Sequence, residues 1–238
     1  MRWLIRQEEA LPASLDWLTP YEQDWAHRLR LAKRRNDYLL RRYVAKEAMA
    51  KATGMQGDGV LARIEVRNAP SGAPFALIDG EPARLHLSVT DRCGWAVCLV
   101  GKAGAGCDLE AVEPRSEGFV QGFLTEAEQA YVDASADKHE AVNLVWSAKE
   151  SGLKLVRLGL SLDTRDVEVT VQSGVPSRDG WGALSVEVPG GRGYPGWWRR
   201  GGDFVLTVVS QAEAPPPRPL EGQTGPFRTE GGRVTLHA

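Results

Sequence analysis

From Thr19 to about Lys51 the chain has no glycine and, after Pro20, no proline; its apolar residues recur at helical spacing until Gly54 stops the pattern. The stretch predicts one or two helices. The text then changes period: VLARIEV at 60–66, LHLSV at 85–89 and WAVCLV at 95–100 are short β-like runs separated by Pro, Gly and Asp breaks. A second round starts with GCDLE at 106–110, passes through helices near 125–133 and 139–157, and returns to strands near 166–172, 181–188 and 203–209. Helix followed by three strands, twice over, predicts an α+β fold of two similar halves, although no evident sequence identity joins them. The divisions expected are an N-terminal half (1–103), a C-terminal half (104–211) and a tail (212–238) rich in Pro and Gly that cannot build a core. RVTLHA at the end of the tail could add an edge strand.

The 238 residues suffice for two ordinary cores, and 42% hydrophobic with 25% charged residues describes a globular protein. With 29 Lys and Arg against 31 Asp and Glu the net charge is -2, which argues against a general polyanion binder, so any basic site must be local. Cys93, Cys98 and Cys107 are odd in number and lack metal-type spacing, which fits a reduced, cytoplasmic protein. No signal-peptide core and no run near 20 apolar residues is found, so no membrane partner is expected. TEAE at 125–128 has the form of a capping box, a sufficient role for it.

Three stretches carry chemistry. In GAGCDLE, Asp108 and Glu110 alternate with Leu109 and face one way on a strand; a hard cation such as magnesium relieves such a pair, and a solvated strand face is the plain alternative. In WSAKESGLK, Trp146, Glu150 and Lys154 fall on one side of a helix, where Glu150 offers a third oxygen and Lys149 and Lys154 offer charge for phosphates; an exposed ion pair is the plain reading. In RLRLAKRRNDYLLRRYVAK at 28–46, Arg35, Arg42 and Lys46 share a helix side and could grip phosphates, serve nucleic acid, or simply be solvated.

The order of basic helix, Gly106 to Glu110, and Trp146 to Lys154 resembles the 4'-phosphopantetheinyl transferases, specifically their large monomeric type. Their pattern, Gly-x-Asp-x-Glu and then Trp-x-x-Lys-Glu-x-x-x-Lys some forty residues later, is met here without mismatch, within a resemblance running from about Leu18 to Val209. It implies two pseudo-symmetric halves, each a helix on a small, mainly antiparallel sheet, with coenzyme A between them. It implies magnesium on Asp108, Glu110 and Glu150, with Glu150 and Lys154 catalytic. Coenzyme A would be held by Arg35, Arg42, Lys46, Arg92, Lys149 and Lys154, and the acceptor would be a serine of an acyl or peptidyl carrier protein. Trp146 is expected to pack behind the helix. Two departures stand out: the family's Ser-His-Ser reads Thr90, Asp91 and Arg92, and its Gly-Lys-Pro reads Gly72, Ala73 and Pro74. The basic helix, Arg92 or His86 would have to serve the 3'-phosphate instead. A degenerate relative without efficient transfer, or a nucleic-acid-binding module using the basic helix, are the rival readings.

Overall fold

The computed structural model describes residues 1–157, 162–174, 177, 179–190, 192–222 and 225–227. The long N-terminal helical stretch is two helices, α1 (Pro20–Arg28) and α2 (Ala32–Thr53), the second closed by Gly54 at φ 72°. A strand that the alternation of the first residues did not announce, β1 (Arg2–Gln7), precedes them. After them come β2 (Ile64–Asn68), β3 (Pro74–Ile78), the two-residue β4 (Glu81–Pro82), β5 (His86–Arg92) and β6 (Trp95–Gly101). The run expected to be a strand from Val60 opens as a 3-10 turn, Val60–Arg63. The β5–β6 hairpin turns through Cys93 at φ 49° and Gly94 at φ 75°, the two left-handed residues that suit the twist of paired strands.

The C-terminal half repeats this plan: β7 (Ala105–Ala111), α3 (Glu117–Phe123), α4 (Glu126–Ala134), α5 (Lys138–Val156), β8 (Glu168–Val171), β9 (Gly182–Val188), β10 (Arg192–Gly201) and β11 (Phe204–Ser210). Each half is therefore a strand, two or three helices and then at least four strands, rather than helix and three strands. The C-terminal sheet has the order β7-β11-β10-β9-β8. The N-terminal half places β1-β6-β5 and β2-β3-β4 in separate sheets, so the corresponding order is broken between β5 and β3.

In each half the long helix covers its sheet. Leu40, Val44, Ala48 and Met49 of α2 pack on Leu4, Ile64, Val66 and Cys98. Leu144, Val145, Ala148 and Leu153 of α5 pack on Val169, Leu184, Val186 and Val209. A third core, with Trp3, Ile5, Val97 and Leu99 from one half against Cys107, Leu109, Leu206 and Val208 from the other, welds the halves along β7. Burial of this apolar area holds the two sheets face to face.

The halves also share a buried polar device. Thr19 and Glu22 form a capping box on α1; the same Glu22 accepts from the Val66 amide at 2.9 Å and pairs with the fully buried Lys46 of α2. Thr125 and Glu128 form a capping box on α4; Glu128 accepts from the Val169 amide at 2.8 Å and pairs at 2.7 Å with the fully buried Lys149 of α5. AKEAMAK at 45–51 thus occupies in α2 the place of AKESGLK at 148–154 in α5. The repeat is legible once the two lysines are superposed, and TEAE does more than cap a helix.

The tail departs from its expected role. β12 (Arg218–Pro219) pairs in parallel with β1, Glu221 meets Arg6 and Lys51, and Phe227, 1% exposed, enters the core between the halves beside Trp3. RVTLHA lies outside the described residues.

Candidate active site

The metal-motif strand is docked by hydroxyls. Ser88 and Thr90, alternate residues of β5, accept from the Cys107 and Leu109 amides of β7 at 3.1 and 3.3 Å, replacing a backbone ladder between the two halves. On its other side β7 is pressed by α5: a Cβ on Gly106 would lie 2.0 Å from the Ser151 carbonyl oxygen, so only glycine allows this approach. α5 is seated further by Ser147 and Ser151, both bonded to the Thr207 hydroxyl at 2.9 and 2.7 Å. These contacts bring Asp108 and Glu110 of β7 under Trp146, Glu150 and Lys154 of α5.

Asp108 is buried; its Oδ1 accepts from Thr90 at 3.0 Å and from the Lys154 ammonium at 2.7 Å, while its Oδ2 has no hydrogen-bond partner. Glu150 Oε1 is likewise buried and unpartnered. Burial raises the Glu150 pKa above the ordinary carboxylate value, and the Asp108 charge adds to the effect. Glu110 is pushed up by the same two causes in the same order, against the pull of Arg92 and Arg115. Burial opposes the charge of Lys154, but Asp108 outweighs it and the ammonium is held above its usual pKa.

Glu110 is held by two cations, Arg115 at 2.9 Å and Arg92 at 3.4 Å, and by the neutral Trp146 indole, which donates at 3.2 Å. Trp146 therefore does not simply pack behind α5. It sits half-buried at the site, its ring against Phe119 and Phe123 at 5.2 and 5.1 Å. As placed, no three His, Cys, Asp or Glu side chains among the described residues stand close enough to hold an ion. The donor chemistry nevertheless fits a hard cation: Asp108 and Glu110 both act on the charge of Glu150, and two buried carboxylate oxygens lack a hydrogen-bond partner.

A cleft of about 1050 Å³ opens between the halves, with Glu150 and Lys154 at its wall. Arg34, Arg41 and Arg42 of α2 line it, as do His86 and the loop containing Gly72, Ala73 and Pro74. Arg42 bonds the Asn68 side chain at 2.7 Å and stacks on Tyr38.

Four of the cations expected here are elsewhere, two of them buried. Lys149 faces away from the cleft, where it pairs with Glu128 and donates to the Thr164 and Val167 carbonyls at 2.7 and 2.5 Å. Lys46 is buried against Glu22 and donates to the Trp17 carbonyl at 2.8 Å. Neither can meet a phosphate without abandoning a buried partner. Arg35 is not among the cleft-lining residues, whereas Arg34 and Arg41, which a seven-four spacing count passed over, are. Arg92 lies among the carboxylates and not on the cleft wall. Asp91 is neutralised by Arg41 at 2.6 Å.

With this geometry in view, the sequence profile of the 4'-phosphopantetheinyl transferase superfamily matches residues 5–99 and 104–189, most of the chain. The chain belongs to that superfamily. Among its relatives, the holo-acyl-carrier-protein synthase of Shouchella clausii is 41% identical over 85 residues, 35% of this chain and 72% of that protein. The 4'-phosphopantetheinyl transferase of Bacillus subtilis is 26% identical over 175 residues, 72% of this chain and 67% of its own length. The solved holo-acyl-carrier-protein synthase of Thermotoga maritima overlays 45% of this chain and 61% of its own at a TM-score of 0.36 and 20% identity. No described helix is long and apolar enough to cross a membrane.

Proposed function

We propose that this superfamily member transfers the 4'-phosphopantetheine arm of coenzyme A to a serine of an acyl or peptidyl carrier protein. The observation that carries the reading is the meeting of Glu150 and Lys154, beside the buried Asp108, at the wall of a cleft lined by the α2 arginines. Coenzyme A has its pyrophosphate in the middle of an elongated, polyanionic molecule, which suits a cationic cleft with carboxylates at one end. Arg34, Arg41 and Arg42 would bind the phosphates; Lys154, its charge maintained by Asp108, would neutralise the negative charge that grows on the bridging oxygen.

In the reaction the serine oxygen forms a bond to the β-phosphorus, the bond from that phosphorus to the bridging oxygen breaks, and 3',5'-adenosine bisphosphate leaves with the electron pair. Glu150, whose raised pKa makes it a better proton acceptor than an ordinary carboxylate, takes the serine proton. Magnesium would be held by Asp108, Glu110 and Glu150 and would supply charge neutralisation of the pyrophosphate. Positioning and electrostatics account for such a transfer without a covalent enzyme intermediate.

A degenerate relative that binds without efficient transfer is favoured by one observation: two arginines stand against Glu110. The nucleic-acid reading loses support from the basic helix itself, because Lys46 is buried and Arg34, Arg41 and Arg42 line a cleft between the halves. We take the protein to act as a cytoplasmic monomer. Incubation with candidate carrier proteins, coenzyme A and magnesium, followed by mass spectrometry of the carrier, tests the proposal: a phosphopantetheine adduct on serine is expected, and its absence from every competent carrier favours the degenerate reading.

A further inference from the structure

Ser88, Thr90 and Arg92 form one row on β5, all directed at β7. The first two are short hydroxyls that accept β7 amides. The third, where the resemblance expects a serine, is a guanidinium that reaches Glu110 at 3.4 Å and donates to Glu113. Arg115 also meets Glu110, but the two arginines are not equivalent. Arg115 is braced, with Nε on the buried Asn143 at 2.7 Å and its guanidinium over the Phe119 ring at 4.9 Å. Arg92 has no such brace: its Nε makes no hydrogen bond, its side chain is 34% exposed, and its outer partner Glu113 is 42% exposed. Withdrawing it from Glu110 therefore breaks no buried hydrogen bond, and leaves it an anion at the surface to pair with.

The N-terminal half also sets a guanidinium against its glutamate. At the matching place on β1, Arg6 pairs with Glu47, the α2 counterpart of Glu150. There the arginine is fixed further by Glu221 and by the Ile5 carbonyl.

We infer that Arg92 is a displaceable internal counter-cation for Glu110, and that a divalent cation completes its site on Asp108, Glu110 and Glu150 only by moving Arg92 out toward Glu113. This rests on the metal reading of the three carboxylates given above. Its consequence is a positioning role: Arg92 lowers the affinity of the resting protein for the ion and keeps Glu110 neutralised until the ion arrives, so metal occupancy is gated by a side chain that touches no substrate.

The test is binding of Mn2+ alone, followed by electron paramagnetic resonance of the free ion, to the wild type and to Arg92→Ser, Arg92→Gln and Arg92→Lys, with Asp108→Asn as the site control. The neutral variants should bind Mn2+ on the order of ten-fold more tightly, equivalent to about 1.4 kcal/mol. Arg92→Lys should fall near the wild type, because it keeps the competing charge, and Asp108→Asn should lose the site. Two neutral variants of different length protect the result against misfolding of either. Equal or weaker binding by both neutral variants, with Asp108→Asn still losing the site, overturns the counter-cation role and leaves the metal reading standing. Absence of any Mn2+ binding that Asp108→Asn removes overturns both.

Discussion

The Arg41 guanidinium of α2 donates to the Asp91 carboxylate of β5 at 2.6 Å, so the anion that replaces an expected histidine is already neutralised by an arginine that lines the cleft. Repulsion between Asp91 and a bound phosphate, which the sequence alone suggests, is answered from the helix and not by the neighbouring Arg92. Arg41 presents cationic charge to the cleft while Asp91 fixes its direction. Arg41→Ala should therefore weaken coenzyme A binding by about ten-fold, some 1.4 kcal/mol, and dephospho-coenzyme A much less. Calorimetry with both ligands decides the assignment, and equal losses would show that Arg41 does not meet the 3'-phosphate.

Lys149 is the lysine of the motif that serves the fold. Lys149→Ala strands the buried Glu128 without its ammonium, and breaking one side of such a pair costs on the order of 3 to 5 kcal/mol. Thermal unfolding should show a large fall for this variant and much of it restored in Lys149→Met with Glu128→Gln, where no lone charge remains. Lys154→Ala also takes an ammonium from a buried carboxylate, Asp108, but from a lysine that reaches solvent, so it should lower stability less than Lys149→Ala while losing transfer. If Lys149→Ala kept its stability and lost only coenzyme A affinity, the inward assignment would be wrong.

This division between adjacent motif residues marks what sequence spacing could and could not reveal. Trp146, Glu150 and Lys154 were legible as one patch because a step of four is nearly a helical turn. Asp108 and Glu110 were legible as neighbours because strand side chains alternate. Lys149 was not, because charge in a sequence does not say which side of the helix is covered, and its partner Glu128 looked fully employed as a cap. The basic run misled for the same reason: Lys46 has an identical buried partner, Glu22, and the cleft is lined by Arg34 and Arg41 in place of Arg35. β1, β3 and β10 were missed where charges, Pro and Gly interrupt alternation that long-range pairing nonetheless completes. The duplicated plan emerged from pairing, since AKEAMAK and AKESGLK share too few letters to announce it.

Gly106 predicts a steric effect. Gly106→Ala places a methyl group 2.0 Å from the Ser151 carbonyl oxygen and 2.8 Å from the Leu155 amide, both backbone atoms that yield only if α5 moves. The cost should be at the upper end of the roughly 1 to 3 kcal/mol typical of overpacking, and transfer should fall further than stability because Glu150 and Lys154 move with the helix. A melting curve and a transfer assay on the same preparation test both halves of this statement; wild-type values for both would contradict the close approach.

The raised carboxylate pKa values of Glu110 and Glu150 fix the sign of a pH effect. A carboxyl group whose folded pKa lies above its unfolded one favours the folded state at low pH, and this contribution is lost as pH rises through the folded value. The ion-free protein should therefore lose stability from the ordinary carboxylate value of 4.5 upward, and Glu150→Gln should flatten that decline. Magnesium should raise the melting temperature more at pH 7.5 than at pH 5.5, because the ion needs the ionised carboxylates. A stabilisation independent of pH would argue against a carboxylate site.

The tail supplies the last expectation. Its composition reads as a linker, yet it crosses back to the N-terminal half, where the Arg218 and Leu220 amides donate to the Met1 and Trp3 carbonyls at 3.1 and 2.8 Å. Glu221 then joins Arg6 and Lys51, its carboxylate lying 2.9 Å from the Lys51 ammonium. Further on, Phe227 is edge-on to Trp3 at 5.7 Å and fills the core between the halves, and its carbonyl accepts from Arg199 at 3.0 Å. Deleting residues 212–238 should consequently expose the β1 edge and open that core. Phe227→Ala isolates the second effect and should cost on the order of 3 to 5 kcal/mol, the usual loss for a buried phenyl ring. Glu221→Ala, at a half-exposed ion pair, should cost about 1 kcal/mol or less. Chemical denaturation of the three variants tests the ordering. A truncated protein as stable as the full chain would mean that the tail rests on the surface without bracing it, whereas the expected order, deletion then Phe227→Ala then Glu221→Ala, makes it a strap that holds the two walls of the cleft in register.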